Sequence, residues 1–168
     1  MRERPLRIDS IALVSGGLIG LVHCPGRNGR DLAADLAAIE AWHARVVVTL
    51  IEAGEFARLG VADLDARMRQ RRFIWHHVPI PDMQPPDAAG VAAWSIAEPD
   101  LAEALRRGER VLLHCAAGLG RTGMMAARLL VDQIGCTPDA AIATVRAHRP
   151  GAIETTEQEA FVTGRRAD

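Results

Sequence analysis

The feature that most constrains the fold of this 168-residue chain is the run HCAAGLGRTG at residues 114–123. The apolar stretch 110–114 before it is typical of a buried strand, and residues 124–134 after it have a helical pattern. A strand, a glycine-containing loop and a helix in this order predict an α/β fold in which the loop lies at the carboxyl end of a strand. The N–H groups of such a loop converge and bind an oxyanion.

Cys115 and Arg121 lie six positions apart in this run. The thiolate is the nucleophilic form of cysteine, and nearby cations and helix N-termini lower the thiol pKa from about 8.5. The planar fork of arginine matches two oxygens of a phosphate group. We therefore predict that Cys115 attacks the phosphorus of a phosphate ester to form a phosphocysteine, while Arg121 stabilises the charge that develops on the phosphate oxygens.

The other residues of the run have supporting roles in this interpretation. We expect Thr122 to hydrogen-bond the sulfur as it leaves in a second step, and His114 to order the loop, because neighbours on a strand point to opposite faces. Gly118 and Gly120 permit positive φ and a close backbone approach. The predicted phosphate contacts come from Ala116, Ala117, Gly118, Leu119, Gly120 and Arg121. The competing interpretation is a buried structural cysteine beside an unrelated arginine.

This run resembles the Cys-x5-Arg signature of protein tyrosine and dual-specificity phosphatases, in the form His-Cys-x-x-Gly-x-x-Arg-Thr. Residues 24–27, 76–87 and 151–155 are similar to segments of small dual-specificity enzymes of the cyclin-dependent kinase-associated phosphatase branch. The resemblance extends roughly from Pro25 to Phe161. It implies a cysteine-dependent protein phosphatase that acts on phosphotyrosine and, as in other compact relatives with shallow pockets, also on phosphoserine and phosphothreonine.

The leaving oxygen needs a proton, which a carboxylic acid within hydrogen-bond reach supplies. Asp82 follows the strand-like run 73–78 in a loop that prolines restrict in φ. The resemblance places the general acid of the family in this loop. Asp87 is the alternative acid, although it also fits the N-cap of the following helix. We predict Asp82 as the acid and Asp87 as the cap.

Several other polar residues have competing interpretations. Gln158 either positions the hydrolytic water, as a glutamine does in tyrosine-specific relatives, or forms a capping box at the start of the last helix, which we favour. Arg149 either supports the substrate phosphate or pairs with Glu154. His76 and His77 diverge on a strand and have no third ligand at metal spacing. We therefore expect no metal site and no cofactor.

Charge and cysteine content restrict the partners and the compartment. The 20 basic and 21 acidic residues give a formal net charge of −1, which argues against nucleic-acid binding through a broad basic surface. No apolar run has the length of a membrane span and no signal-peptide pattern opens the chain, so we expect a cytoplasmic protein without a membrane partner. Cys24, Cys115 and Cys136 are widely spaced, as in proteins of reducing compartments. Cys24 or Cys136 is either a resolving thiol for oxidised Cys115 or an incidental cysteine. No sequence pattern indicates the oligomeric state.

The hydrophobic pattern predicts a single α/β domain over residues 1–168, with a strand hairpin over 1–24 and the core over about 25–164. A central, mostly parallel sheet flanked by helices is expected. Strands are predicted over residues 6–13, 18–22, 45–51, 73–78 and 110–114. Helices are predicted from residue 31, over 55–59, 62–71, 87–97, 100–106 and 124–134, and from residues 137 and 155. Pro99 is predicted to open the second of two separate helices.

The neutral side chains of Ala116, Ala117 and Leu119 bear on the substrate. Phosphoinositide phosphatases that resemble this chain often carry lysines in the loop, so a highly charged inositol head group is disfavoured. We predict a phosphorylated protein or peptide as substrate. Two alternatives stay open: a non-catalytic module that binds phosphate or phosphoproteins, and a phosphatase that acts on a small-molecule or lipid phosphate.

Overall fold

The computed structural model describes residues 4–165, so the first three and last three residues of the predicted domain lie outside the described part. Its strands are β1 (Asp9–Ala12), β2 (Leu18–Val22), β3 (Ala44–Thr49), β4 (Ile74–His77) and β5 (Arg110–His114). They form one sheet in the order β1-β2-β5-β3-β4. The β1–β2 hairpin is antiparallel and the other three pairings are parallel, which confirms the predicted mostly parallel sheet.

The helices are α1 (Leu32–Ala41), α2 (Ala53–Arg58), α3 (Leu64–Arg69), α4 (Ala88–Arg106), α5 (Gly120–Leu129), α6 (Pro138–His148) and α7 (Thr156–Thr163). Side chains at the N-caps of four helices accept backbone N–H groups: Asp31, Asp87, Thr137 and Thr155. These caps satisfy N–H donors that have no partner within the helix. The predicted cap at Asp87 is confirmed.

Two helix predictions are wrong in their boundaries. The predicted break between residues 97 and 100 does not exist, because Pro99 lies inside the unbroken helix α4. An internal proline costs about 3 kcal/mol of helix stability. However, Ala97 and Leu101 on either side of it are fully buried, and α4 packs on β3 and β5, so tertiary packing outweighs the local preference. Helix α5 starts at Gly120 rather than residue 124 and continues as a π-helical turn, Leu130–Ile134, that Gly135 ends with φ 74°.

The parallel strands bring their carboxyl ends to one edge of the sheet. Thr49 at the end of β3 lies opposite His114 at the end of β5. Helix α5 packs on β2 and β5 and contacts α6 and α7. The residues that leave this edge are therefore fixed by a buried sheet below and by helices at the side. Within residues 4–165, no helix has both the length and the apolar character needed to cross a bilayer.

Candidate active site

The signature loop, residues 115–121, leads from the end of β5 into the first turn of α5 at the carboxyl edge of the sheet. Cys115 is 3% exposed, and the Gly118 N–H donates a hydrogen bond to its Sγ at 3.2 Å. Gly118 has φ +72°, and a Cβ there would lie 2.4 Å from the backbone of Val22. The predicted need for positive φ is thus confirmed at Gly118.

The prediction of positive φ at Gly120 is wrong, because Gly120 is the first residue of α5 and has helical φ. The glycine leaves room there for a buried side chain. A Cβ would lie 2.9 Å from Nε2 of Gln158, which is buried, and 2.4 Å from Oε2 of Glu154, which is exposed and can turn away. A side chain at Gly120 would therefore press mainly on Gln158 in the first turn of α7.

Two arginines hold the outer side of the signature loop. Arg149 donates to the carbonyls of Gly118 at 2.6 Å and Ala117 at 3.0 Å, and Arg27 donates to that of Ala116 at 2.5 Å. Because C=O and N–H of one peptide unit point in opposite directions, the N–H groups of residues 117–119 face the other side of the loop. The Gly118 N–H, which points at the sulfur, is one of them. The loop is thereby held with successive donors turned towards Cys115.

The predicted pairing of Arg149 with Glu154 is wrong, because the third contact of Arg149 is an ion pair with Asp9 on β1, at 2.7 Å. Its guanidinium lies against the carbonyl side of the loop, away from the side that the N–H groups face. Arg149 therefore positions the loop, and the first strand supplies its counter-charge.

Arg121 is almost completely buried, at 1% exposure. Its Nη1 and Nη2 donate to the two carboxylate oxygens of Glu55 at 2.6 and 3.0 Å, and Nη1 also donates to the Ile80 carbonyl at 3.0 Å. Burial by itself would raise the pKa of the Glu55 carboxyl, but hydrogen bonds from Arg121 and from the Glu52 N–H outweigh burial and lower it. Burial likewise opposes the charge on Arg121, and the hydrogen bond with Glu55 raises its pKa overall. Both groups are therefore held in their charged forms.

Sequence reasoning did not find Glu55. The available signal was an acidic residue at the start of a short helix, which predicts only a cap. The cap exists, since the Glu52 N–H donates to Glu55 Oε2 at 2.8 Å. The same oxygen also binds Arg121.

The two candidate acids lie in different places. Asp82 Oδ1 is 3.1 Å from Arg121 Nη2, and the Asp82 side chain is 53% exposed. Asp87 accepts the Gly90 N–H at 2.8 Å at the start of α4. The loop that carries Asp82 is attached to the start of α7, where the Thr155 hydroxyl donates to the Met83 carbonyl. The structure therefore brings the Asp82 carboxyl, and not that of Asp87, beside Arg121.

His114 forms a directed chain of hydrogen bonds behind Cys115. Its Nδ1 lies 3.2 Å from the Cys115 carbonyl and its Nε2 lies 2.7 Å from Thr49 Oγ1, which also accepts from Trp75 Nε1 at 2.9 Å. Complete burial lowers the pKa of His114 to about 4, so the ring is neutral at pH 7. A carbonyl only accepts hydrogen bonds, hence the single ring proton is on Nδ1 and the Thr49 hydroxyl donates to Nε2.

Two buried polar atoms near the start of α5 and α7 have no hydrogen-bond partner among the described residues. They are Thr122 Oγ1 and Gln158 Nε2. The predicted capping box is confirmed, because Gln158 Oε1 accepts the Thr155 N–H and the Thr155 hydroxyl accepts the Gln158 N–H. An unpaired buried polar atom costs about 1–3 kcal/mol, so both atoms are candidates for contacts that form with substrate or intermediate.

The adjacent histidines and the cysteines have separate surroundings. His76 Nε2 lies 2.8 Å from Asp100 and His77 Nε2 lies 2.8 Å from the Ile51 carbonyl. No group of three His, Cys, Asp or Glu side chains within residues 4–165 has the arrangement of a metal site. Cys24 is a free thiol whose pKa burial raises to about 12, and Cys136 is also free. The high pKa makes Cys24 a poor nucleophile at pH 7.

Three comparisons with known proteins point to one family. The family model of cyclin-dependent kinase inhibitor 3 (CDKN3) matches residues 6–142. The cyclin-dependent kinase inhibitor 3 of Mus musculus is 32% identical over 144 residues, which are 84% of this chain and 67% of that protein. The Homo sapiens protein of the same name is 32% identical over 167 residues, which are 93% of this chain and 76% of that protein. The crystal structure of a kinase-associated phosphatase, in which serine replaces the catalytic-site cysteine, aligns with a TM-score of 0.84 and 26% identity over 96% of this chain and 94% of that one.

Proposed function

Because the chain belongs to the cyclin-dependent kinase inhibitor 3 family of cysteine-dependent protein phosphatases, we propose that it removes phosphate from phosphotyrosine, and also from phosphoserine and phosphothreonine, through a phosphocysteine intermediate. The observation that carries the mechanism is the signature loop, in which a backbone N–H points at the Cys115 sulfur and Arg121 is buried beside Asp82. The positions of Cys115, Arg121 and Asp82 at one edge of the sheet support their proposed roles as nucleophile, anion-binding group and proton donor.

In the first step, the Cys115 thiolate attacks phosphorus in line with the leaving oxygen. The Sγ–P bond forms while the P–O ester bond breaks, and Asp82 gives its proton to the leaving oxygen. The N–H groups of residues 117–119 and Arg121 stabilise the negative charge on the three remaining oxygens. Glu55 occupies the Nη1–Nη2 edge of the guanidinium, so the edge formed by Nε and Nη2, beside which Asp82 lies, is the one proposed to meet the phosphate.

In the second step, water hydrolyses the phosphocysteine. The P–O bond forms, the Sγ–P bond breaks, and the water proton passes to the Asp82 carboxylate, which restores the acid for the next cycle. The unpaired hydroxyl of Thr122 donates to the departing Cys115 sulfur, as a buried donor without another partner is suited to do.

We also propose a cytoplasmic setting for the enzyme and assign residues 1–168 to a single phosphatase domain. The support for the compartment is that the three cysteines are odd in number, widely spaced along the chain and unpaired with one another. Thiols persist in this state in reducing compartments. A thiolate nucleophile such as Cys115 also requires that environment to stay active.

The test is hydrolysis of an aryl phosphate by the purified chain, with a chelator present and no added metal. We expect turnover by the unaltered protein and by Cys136→Ser, and none by Cys115→Ser, which should still fold and bind phosphate or vanadate. Substantial hydrolysis by Cys115→Ser would contradict the nucleophile assignment. A folded, unaltered protein that binds vanadate without turnover would instead be a phosphate-binding module.

A further inference from the structure

A pocket of about 240 Å³ lies beside the signature loop and has no role in the proposed mechanism. We call it the basic pocket; it is lined by His23, Arg27, Asn28, Arg30 and Ala117. Four of these residues follow β2 at the carboxyl edge of the sheet, next to β5 and its loop. The fifth belongs to the signature loop itself.

The segment that builds the basic pocket is tied to a buried carboxylate. Asp35 on α1 accepts the Gly26 N–H at 2.9 Å and pairs with Arg30 at 2.6 Å. Gly26 has φ +77°, and a Cβ there would lie 2.9 Å from Leu32, so the turn needs glycine. The pocket wall is thereby anchored to α1.

The charge in the basic pocket is unbalanced. The Asp35 carboxylate offsets Arg30, whereas Arg27 has no carboxylate partner among residues 4–165. The Nη1 of Arg27 binds the Ala116 carbonyl, and its Nε is buried without a hydrogen-bond partner in the same part of the chain. One unpaired positive charge with a buried, unsatisfied N–H donor is a suitable site for one anionic group.

The basic pocket is close enough to the nucleophile for one substrate to reach both. Ala117 lies two residues after Cys115, and two Cα steps span at most about 7.6 Å. Adjacent residues of an extended peptide advance by about 3.3 Å each. Because Ala117 lines the pocket and belongs to the phosphate loop, we expect a side chain one or two positions from the phosphorylated residue to reach the pocket while the phosphate is in the loop.

We propose that the basic pocket binds a second anionic group of the substrate, namely a carboxylate or phosphate on a residue that flanks the phosphorylated residue of a peptide. This proposal rests on the proposed phosphatase function and adds a preference for acidic or multiply phosphorylated sequences. A surplus of one charge matches one carboxylate or phosphate. A polyphosphorylated inositol ring would need more cations, and Ala116, Ala117 and Leu119 supply none within the loop.

The experiment compares kcat/KM for phosphotyrosine peptides that carry Asp, phosphoserine, Ala or Lys at the positions one and two residues from the phosphotyrosine. The readout is kcat/KM for the Asp or phosphoserine peptide divided by kcat/KM for the Ala peptide. We expect a ratio of about tenfold at low salt that declines as salt screens the contact. Asn28→Asp adds a negative charge to the pocket and should bring the ratio close to one. Asn28 is exposed with φ 58°, a conformation that Asp also tolerates.

The matched control is Gln70→Glu, which makes the same change of charge at an exposed residue near the opposite edge of the sheet. The kcat/KM ratio of this variant should equal that of the unaltered protein. An equal decrease of the ratio in both variants would show an effect of net charge alone and would contradict anion binding in the basic pocket. Turnover of all peptides with a ratio near one would overturn this inference and leave the phosphatase function intact. No turnover of any peptide or aryl phosphate by the folded protein would overturn the function itself.

The lipid alternative is tested with vesicles that contain a phosphatidylinositol monophosphate. We expect little hydrolysis there relative to the acidic peptides. The peptide proposal would be overturned if the vesicle lipid were hydrolysed faster than the peptides, if Asn28→Asp slowed that hydrolysis, and if the peptide kcat/KM ratio were close to one. These results would assign the basic pocket to an inositol head group.

Discussion

Glu55 holds Arg121 through a two-point ion pair, with N–O distances of 2.6 and 3.0 Å. Both side chains are buried, and α2, which carries Glu55, follows β3 directly. The carboxylate fixes the plane of the guanidinium before any substrate binds. In the proposed mechanism this preorganisation matters, because a guanidinium that is already oriented loses little entropy when it binds the phosphate.

We expect Glu55→Gln to lower the free energy of unfolding by about 3 kcal/mol, because it leaves the Arg121 charge buried without its main partner. The kcat/KM for aryl phosphate should decrease by about tenfold or more, since the guanidinium is no longer held in its plane. Urea unfolding and steady-state kinetics measure both effects. Arg58→Gln is the control, because it removes an exposed partner of the same carboxylate and should cost less than about 1 kcal/mol. Equal, small effects of the two substitutions would show that the buried pair is not the organising contact.

Asp82→Ala and Asp87→Ala should separate the acid from the cap. Asp82→Ala should reduce kcat by about 10²–10⁴-fold for alkyl phosphates, because their alkoxides are poor leaving groups that need the proton. The decrease should be much smaller for an activated aryl phosphate. Asp87→Ala should leave the ratio of the two substrates unchanged and cost about 1 kcal/mol of stability, because α4 loses its N-cap. The dependence of kcat on leaving-group pKa measures the difference. A leaving-group effect in Asp87→Ala alone would move the acid assignment to Asp87.

The sequence was informative where the determinants are local. Cys115, Gly118 and Arg121 lie within one short segment, so their spacing alone predicted a loop that follows a strand and precedes a helix. The caps at Asp87 and Thr155 were predictable for the same reason, because a cap involves residues a few positions apart.

The contacts that position this loop could not be predicted, because the fold brings them from distant parts of the chain. Glu55 is an ordinary acidic residue at a helix start until packing places Arg121 against it. Arg149 had a plausible local partner in Glu154, but the β1 strand offers Asp9 instead. Pro99 shows the same limit for secondary structure, since local preference predicted a break that burial of α4 overrides.

Gly118→Ala should distort the signature loop. The new Cβ would lie 2.4 Å from the Val22 backbone, and φ +72° is unfavourable for alanine. Together these effects should cost about 2–4 kcal/mol of stability and turn the Gly118 N–H away from the Cys115 sulfur, so activity on aryl phosphate should be almost lost.

Gly54→Ala is the matched control for the Gly118 substitution. A Cβ at Gly54 meets no atom within 4 Å, and the residue lies in helix α2 without positive φ. Alanine there should raise stability by up to about 1 kcal/mol and leave activity unchanged. Thermal unfolding and kcat/KM of both variants give the comparison. A Gly118→Ala protein with normal activity would show that the loop does not need its left-handed residue.

The stability of the protein should decrease between pH 7 and pH 5 because of His114. Its pKa is about 4 in the folded protein and about 6.5 when unfolded, so the unfolded chain binds more protons in this interval. The neutral His114 side chain therefore contributes about 3 kcal/mol to the pH-dependent part of the free energy of unfolding. This contribution is complete above pH 6.5 and is lost as the pH falls towards 4. His114→Gln should flatten this part of the profile in urea unfolding, whereas His148→Gln, at an exposed histidine, should keep the slope. Burial also lowers the pKa of His23, so a residual slope is expected in His114→Gln. An unchanged slope would contradict a neutral His114, and with it the hydrogen-bond direction from Thr49 through the imidazole to the Cys115 carbonyl.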